Sequence, residues 1–309
     1  MAHYLVTGGC GFIGSHLADR LLADGHRVTI LDDLSTGRLE NKPAAARLVV
    51  GDVADAAAVR EAADAVDGIF HLAAVASVQR SKEAWSDTHR TNMMGTVTVF
   101  EAARTAGAGA PVPVVYASSA AVYGDNPVTP LGEDAETRPL SAYGADKLGC
   151  ELHGRVAWSI HGVPTVGFRF FNVYGPRQDP RSPYSGVISI FAQRIARGRD
   201  LDIHGDGEQV RDFVYVGDVV EFLAAAMERR PRGAGIFNLC TGRPTSIAML
   251  ASVLEELAGY RVGRIHHPAR PGDIRVSIGD PARLRAAFGM GCRTGLLDGL
   301  AATLDRVPA

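Results

Sequence analysis

Three groups of residues in this 309-residue chain are of types and spacings that do chemistry together. The first is Gly8, Gly11 and Gly14, spaced GxxGxxG in TGGCGFIGSHL, directly before a run in which Leu17, Leu21 and Leu22 make an apolar helical face. Glycines let the backbone approach a pyrophosphate closely, and a helix N-terminus aims its unpaired N–H groups at the anion. Asp32 stands 18 residues after Gly14, at the end of the next apolar run, where a carboxylate can bond the hydroxyls of an adenosine ribose. Together these predict a dinucleotide site. The acid favours NAD over NADP because it would repel a 2′-phosphate; Asp33 reinforces that reading, and Arg38 weighs mildly against it. Asp52 and Val53, after LVV, are placed to meet the adenine edge, with an ordinary strand-end turn as the alternative.

The second group is Tyr143 and Lys147 in YGADK, an i, i+4 pair on one helical face. An ammonium one turn from a phenol favours the phenolate, which makes the pair a candidate general base. Ser119, at the end of VVYASS, is placed to hold the oxygen whose proton moves, and Ser118 is the alternative relay. The third group, Arg211 in VRDF and Arg270 in RPGD, reads residue by residue as solvated charge, although the planar fork of an arginine suits phosphate oxygens.

These residues need a frame. Strand-length apolar runs at 4–7, 28–31, 48–50, 68–72, 112–117 and 163–171 alternate with helical patterns at 14–24, 56–65, 87–106 and 143–161. Strand and helix in alternation predict an α/β fold, a doubly wound parallel sheet covered on both faces. After Phe171 the texture changes: 174–185 and 266–273 are rich in Pro, Arg and Gly. Residues 1–174 are expected to form the dinucleotide-binding domain, with 210–240 returning to it, and 175–209 plus 241–309 a smaller α/β lobe.

Composition excludes several classes. The formal charge is -2 with cations scattered along the chain, so neither nucleic acid nor an anionic membrane is an expected partner. Cys10, Cys150, Cys240 and Cys292 are far apart, with no CxxC pair and no metal spacing, so no disulfide framework and no metal site is expected. No apolar run reaches transmembrane length, and no basic-then-apolar leader opens the chain, which points to the cytoplasm.

With these motifs together, and with LDDLSTG, GDV, HLAA, RTNMMGT, SSAAVYGDNP, RFFNVYGPRQDP and GDGEQVRDFVYVGDV, the sequence resembles the extended short-chain dehydrogenase/reductase family. Within it, the similarity is to nucleotide-sugar 4-epimerases of the UDP-galactose 4-epimerase type, over nearly the whole chain. The resemblance implies tightly held NAD, contacted by Gly8, Gly11, Phe12, Ile13, Gly14, Asp32, Asp33, Gly37, Asp52, Val53, Leu72, Ala73, Ala74, Asn92, Tyr143 and Lys147. It implies Ser119, Tyr143 and Lys147 as catalytic residues. It implies a UDP-sugar held by Ser118, Asn172, Val187, His204 at the uracil-stacking position, Arg211, Arg270, Asp273 and Ser277. It also implies a homodimer joined by a four-helix bundle from the helices near 88–106 and 143–160.

Relatives that dehydrate or decarboxylate the sugar carry acidic residues just after the position of Ser119; this chain has Ala120 and Ala121, which can neither donate nor accept a proton. Reversible oxidation at C4 through a 4-keto sugar remains. Ser277 stands where epimerases restricted to UDP-glucose and UDP-galactose carry a bulky Tyr, leaving space for the N-acetyl group of UDP-GlcNAc and UDP-GalNAc. UDP-glucuronate 4-epimerization, a net nucleotide-sugar oxidoreductase and a non-catalytic dinucleotide-binding regulator are the competing readings.

Overall fold

A computed structural model of the chain describes residues 1–180, 186–229, 231–270 and 272–305. Residues 181–185 of the Pro- and Arg-rich loop and Pro271 of RPGD lie outside the described residues.

The chain begins with β1 (His3–Thr7), α1 (Phe12–Ala23), β2 (Arg27–Asp32), β3 (Arg47–Val50), α2 (Ala56–Ala62) and β4 (Gly68–His71). Next come α3 (Val78–Glu83), α4 (Trp85–His89), α5 (Gly95–Ala103), β5 (Val114–Ser119), α6 (Ala142–His161) and β6 (Thr165–Phe170). The later elements are β7 (Asn172–Tyr174), α7 (Val187–Ala196), β8 (Leu201–His204), β9 (Val210–Tyr215), α8 (Val216–Glu228) and β10 (Ala234–Leu239). The chain closes with β11 (Pro244–Ser246), α9 (Ile247–Ala258), β12 (Arg264–His267), β13 (Val276–Ser277), α10 (Ala282–Phe288) and α11 (Leu296–Leu304).

Seven strands form one sheet in the order β10-β6-β5-β4-β1-β2-β3, every pairing parallel. Helices cover both faces, so its strands are apolar on both sides. One face packs Leu17 and Leu21 of α1 and Phe222 and Leu223 of α8 against Val6, Ile30 and Phe168. The other packs Val59 of α2, Val99 and Phe100 of α5 and Cys150 of α6 against Leu5, Ile69 and Val114. Each fully buried Leu or Phe contributes about 1.5–3 kcal/mol. This is the doubly wound α/β sheet that the alternation predicts, and the strand ends at Thr7, Asp32, His71 and Ser119 lie along its carboxyl edge, where such sheets bind ligands.

Two expectations are corrected. The helix expected over 87–106 runs as continuous helical backbone from α4 through a π-helical turn at Arg90–Met94 into α5, but it starts earlier, at Trp85, and stops at Ala103. Asn92 sits in that turn with its side chain bound to the backbone of Val75 on both sides, Val75 N donating to Oδ1 (2.8 Å) and Nδ2 donating to Val75 O (3.3 Å). The domain boundary also moves. β7 and β9 pair with each other, and β9 pairs with β11 and β13, in a separate four-stranded sheet. Residues 172–174 and 210–215 therefore belong to the smaller lobe, and only α8 and β10 return to the large sheet. The reason is packing: Tyr174 and Phe213 are buried with Ile188, Phe191, Leu250 and Leu254 in a third core. All four cysteines are free thiols. Among the described residues no helix is long and apolar enough to cross a membrane, and no group of three metal-ligating side chains comes together.

Candidate active site

The glycine turn is shaped by contacts that only glycine permits. Gly8 has φ +70°, and a Cβ there would lie 2.8 Å from Ala73 N. A Cβ on Gly14 would lie 2.2 Å from Gly8 O, so this residue lets α1 pack against the turn. Gly11 has only Gly8 O near its missing Cβ, at 3.1 Å, and it starts α1 with no side-chain cap. The first N–H groups of a 12-residue helix are thus left for an external anion. Phe12 and Ile13 occupy that first turn.

Asp32 is held at the end of β2 by Cys10 N on Oδ2 and Leu34 N on Oδ1, both 2.9 Å, and burial pushes its pKa up from the ordinary value. A Cβ on Gly37 would be 2.6 Å from Oδ1, so only glycine lets the following loop lie against this carboxylate. Each carboxylate oxygen retains a lone pair for a ribose hydroxyl. An uncapped helix start, an open glycine face and a fixed carboxylate at the next strand end fit NAD. Asp33, by contrast, is exposed and bonds Ser35 N (2.9 Å) and Oγ (2.6 Å). Asp52 accepts from Ala54 N (2.7 Å) and pairs with Arg90; against the effect of burial, these hold its carboxyl below the ordinary value. Val53 is buried beneath Gly95.

Leu72, Ala73 and Ala74 follow β4 on a loop fixed by a buried polar chain that spacing alone did not reveal. Thr7 Oγ1 accepts from Leu72 N and Ala73 N (3.2 Å each), so its own proton goes to His71 Nδ1 (2.8 Å). His71 Nε2–H then donates to Thr96 Oγ1 (3.0 Å), whose hydroxyl donates to Asn92 O (2.6 Å). Burial, and secondarily the charge on Lys147, push the His71 pKa down to about 3, so the ring is neutral as this chain of donors requires.

The segments that carry Ser119 and Tyr143 are brought together by a close approach of backbones. Ser141 Oγ caps α6 by accepting from Gly144 N (3.0 Å), and a Cβ on Gly144 would be 2.7 Å from Ala121 O. The first turn of α6 therefore lies on the Ala120–Val122 turn that follows Ser119. Ser119 Oγ accepts from Ala121 N (3.1 Å), and neither its proton nor the Tyr143 hydroxyl is engaged by another side chain or backbone group among the described residues. Lys147 is 3% exposed, donates to Ala117 O (2.9 Å) and has Nζ 5.9 Å from the Tyr143 ring centroid.

Ser118 is corrected out of the site. Strand alternation turns it to the opposite face of the sheet from Ser119, where it is buried and donates to Glu151 Oε1 (2.5 Å). Glu151 is itself paired twice with Arg169, Nε to Oε1 at 2.8 Å and Nη2 to Oε2 at 2.7 Å. Arg169 continues to the Tyr123 hydroxyl (2.7 Å) and stacks on its ring, 4.7 Å from the centroid. This buried network locks β5, β6 and α6 together next to Ser119 and Lys147.

In the smaller lobe, Arg211 Nη2 donates to Asp273 Oδ1 (2.5 Å) and Nη1 to Val210 O (2.9 Å), and burial lowers the Arg211 pKa. Ser277 is its register partner across β13 and β9. Asn172 is exposed at the start of β7, and Val187 opens α7. The His204 ring packs on His267, centroids 5.3 Å apart and 33° between planes. Arg270 is exposed, its carbonyl accepting from Asp273 N (3.1 Å). Beside Arg211, Asp212 is fully buried and gathers Thr241 N (2.8 Å), Thr241 Oγ1 (2.6 Å), Gly242 N (2.8 Å) and Gly279 N (3.3 Å), stitching this lobe's loops to β9.

The profile of the NAD dependent epimerase/dehydratase family matches residues 4–240. The chain is 40% identical to a UDP-glucose 4-epimerase of Mycolicibacterium smegmatis, over 97% of each chain. The crystal structure of the Thermus thermophilus UDP-glucose 4-epimerase in complex with NAD superposes with TM-score 0.90 at 36% identity, covering 98% of both chains. The UDP-N-acetylglucosamine 4-epimerase of Methanobrevibacter ruminantium, in complex with UDP-N-acetylmuramic acid, gives TM-score 0.93 at 34% identity, covering 99% of this chain and 97% of that one. The chain belongs to the NAD dependent epimerase/dehydratase family and is an NAD-dependent enzyme of nucleotide-sugar chemistry.

Proposed function

We propose that the chain is a 4-epimerase of UDP-N-acetylglucosamine and UDP-glucose, interconverting each with its C4 epimer. The carrying observation is the arrangement at the end of β5. Ser119 and Tyr143 present hydroxyls with no other protein acceptor among the described residues, Lys147 sits beneath Tyr143, and the adjoining turn carries Ala120 and Ala121. That set can remove and return one proton but offers no second acid or base for elimination or decarboxylation.

When bound, NAD would supply the hydride acceptor and donor for reversible oxidation at C4. Tyr143 takes the 4-hydroxyl proton, Ser119 orients the oxygen, and Lys147, anchored on Ala117 O, stabilises the phenolate electrostatically. Once the 4-keto sugar has turned over and its opposite face has been reduced at C4, Tyr143 returns the proton to O4. Arg211 keeps donors for the diphosphate beyond those given to Asp273 and Val210, with Arg270, Asn172, Val187 and Asp273 along the same lobe. His204, already packed on His267, offers a face for uracil. The small side chain of Ser277 leaves space for a C2 N-acetyl group. The large lobe thus serves the cofactor and the smaller lobe the UDP-sugar.

A second copy of the chain covers α5 and α6 in this reading. Leu152, Val156 and Ile160 recur at i, i+4 and i+8 on α6 and are exposed, with Met94 exposed at the entrance to α5. An apolar stripe of this kind marks an interaction surface. Four free thiols, three of them buried, suit a reducing cytoplasm.

The test is to incubate the enzyme separately with UDP-GlcNAc, UDP-Glc and UDP-GlcA and to follow the C4 epimers by NMR. Epimerization of the first two without net NADH formation supports the reading. Turnover of UDP-GlcA alone, or net accumulation of NADH, overturns it.

A further inference from the structure

Reversible oxidation within one active site works only if the cofactor stays bound between the two hydride transfers. The strap after β7, residues 175–180, bears on this requirement. Its Pro176 O accepts from His16 Nε2 at 2.9 Å, and Arg177 Nη2 reaches Asp19 Oδ2 at 2.7 Å, both partners standing on α1 just beyond the glycine turn. Asp179 pairs with Arg38. Arg38 belongs to the loop after Asp32, and its own backbone N–H donates to Cys10 O (2.9 Å) in the glycine turn. Arg177 adopts φ +66°, a left-handed conformation that non-glycine residues disfavour, so the strap is held in this course by its partners rather than by local preference.

The contacts close a ring: glycine turn, α1, strap, Arg38, and back to the glycine turn. One side of the ring is the loop that follows the ribose carboxylate, and the other leads from the smaller lobe. We propose that the Arg38–Asp179 pair, with the Arg177–Asp19 and His16–Pro176 ties, is a clasp across the dinucleotide cleft that slows NAD release. Arg38, which at first sight argues for a 2′-phosphate, is thereby assigned to the strap. The inference rests on the epimerase reading only for its purpose; the clasp itself is a property of NAD binding.

The test is a double-mutant cycle on the full-length holoenzyme with Arg38→Ala, Asp179→Ala and the double variant. Each protein is loaded with radiolabelled NAD and chased with excess unlabelled NAD, and the retained label is followed by rapid filtration. A partly exposed ion pair predicts release faster by up to about fivefold in each single variant. The double variant is expected to be no faster than the faster single, because both substitutions open the same contact. Raising the salt concentration should speed release from the parent and leave the variants little changed. Equal release rates for parent and single variants overturn the clasp, as do effects that multiply in the double variant, which would mean that Arg38 and Asp179 act separately. A parent protein that retains labelled NAD behind the clasp yet epimerizes no UDP-sugar refutes the functional reading and leaves the clasp standing.

Discussion

Two adjacent serines, Ser118 and Ser119, should fail in different ways when each is changed to alanine. Ser119 Oγ accepts one bond, from Ala121 N at 3.1 Å, and its proton has no protein acceptor among the described residues, so the hydroxyl is available to the substrate oxygen. A positioned proton-handling group contributes about 10²–10⁴-fold to rate. Ser119→Ala is therefore expected to lower kcat by at least about 10²-fold with little change in melting temperature, since the site is half-exposed and loses a single backbone contact. Ser118 instead donates at 2.5 Å to Glu151, a carboxylate only 1% exposed. Losing a bond to a buried charged group costs about 1.5–3 kcal/mol. For a chain of this length that lowers the melting temperature by about 3–6 °C, at roughly 2 °C per kcal/mol. Turnover per folded molecule should stay within about threefold of the parent, because the hydroxyl is committed to the buried Glu151–Arg169 network between β5 and α6. The assay pairs calorimetric melting of NAD-saturated protein with initial rates of UDP-glucose epimerization. If Ser118→Ala lost as much kcat as Ser119→Ala at an unchanged melting temperature, the assignment of the two faces would be wrong.

Other outcomes follow from the same structure. Gly14→Ala places a methyl 2.2 Å from Gly8 O, a backbone atom that must move, so the protein should lose most of its NAD on purification, read by NAD released on denaturation. Ser277→Tyr should abolish turnover of UDP-GlcNAc while retaining that of UDP-glucose; loss or retention of both together would remove Ser277 from sugar selection. His71 has its pKa lowered to about 3, so between that value and the ordinary 6.5 the unfolded chain binds a proton that the native state refuses. Its contribution to stability is fully present above pH 6.5 and declines as pH falls toward 3. His71→Gln should therefore have a lower melting temperature at pH 7 but a shallower decline from pH 7 to pH 5, and an unchanged slope would show that this imidazole does not report acid unfolding. Val156→Glu, on the exposed stripe of α6, should convert a dimer to monomers in sedimentation, while an already monomeric parent would refute that interface.

How much of this was legible in the sequence depends on the distance over which each feature is decided. The glycine spacing with Asp32, the Tyr143–Lys147 pair and the alternation of strand and helix follow from turns, helical period and strand period, all set within a few tens of residues. They were enough to predict the parallel sheet and the cofactor. Neighbours in space but not in sequence were a different matter. Whether Ser118 or Ser119 faces the substrate depends on which side of β5 is covered by Glu151 and Arg169, 33 and 51 positions downstream of Ser118. That β9 leaves the large sheet depends on Phe213 and Tyr174 finding a third core with α7 and α9. The neutral ring of His71 depends on its burial and on the charge of Lys147, its tautomer on hydroxyls from β1 and α5, and the pairing of Arg38 on a carboxylate 141 residues away. Local spacing determined which chemistry the chain carries, because dihedral preferences and periodicity act along the backbone. Only the folded packing decided which of the two serine hydroxyls is buried on Glu151 and which carboxylate Arg38 meets, because burial and long-range hydrogen bonding are properties of the surroundings that a side chain acquires once the chain has folded.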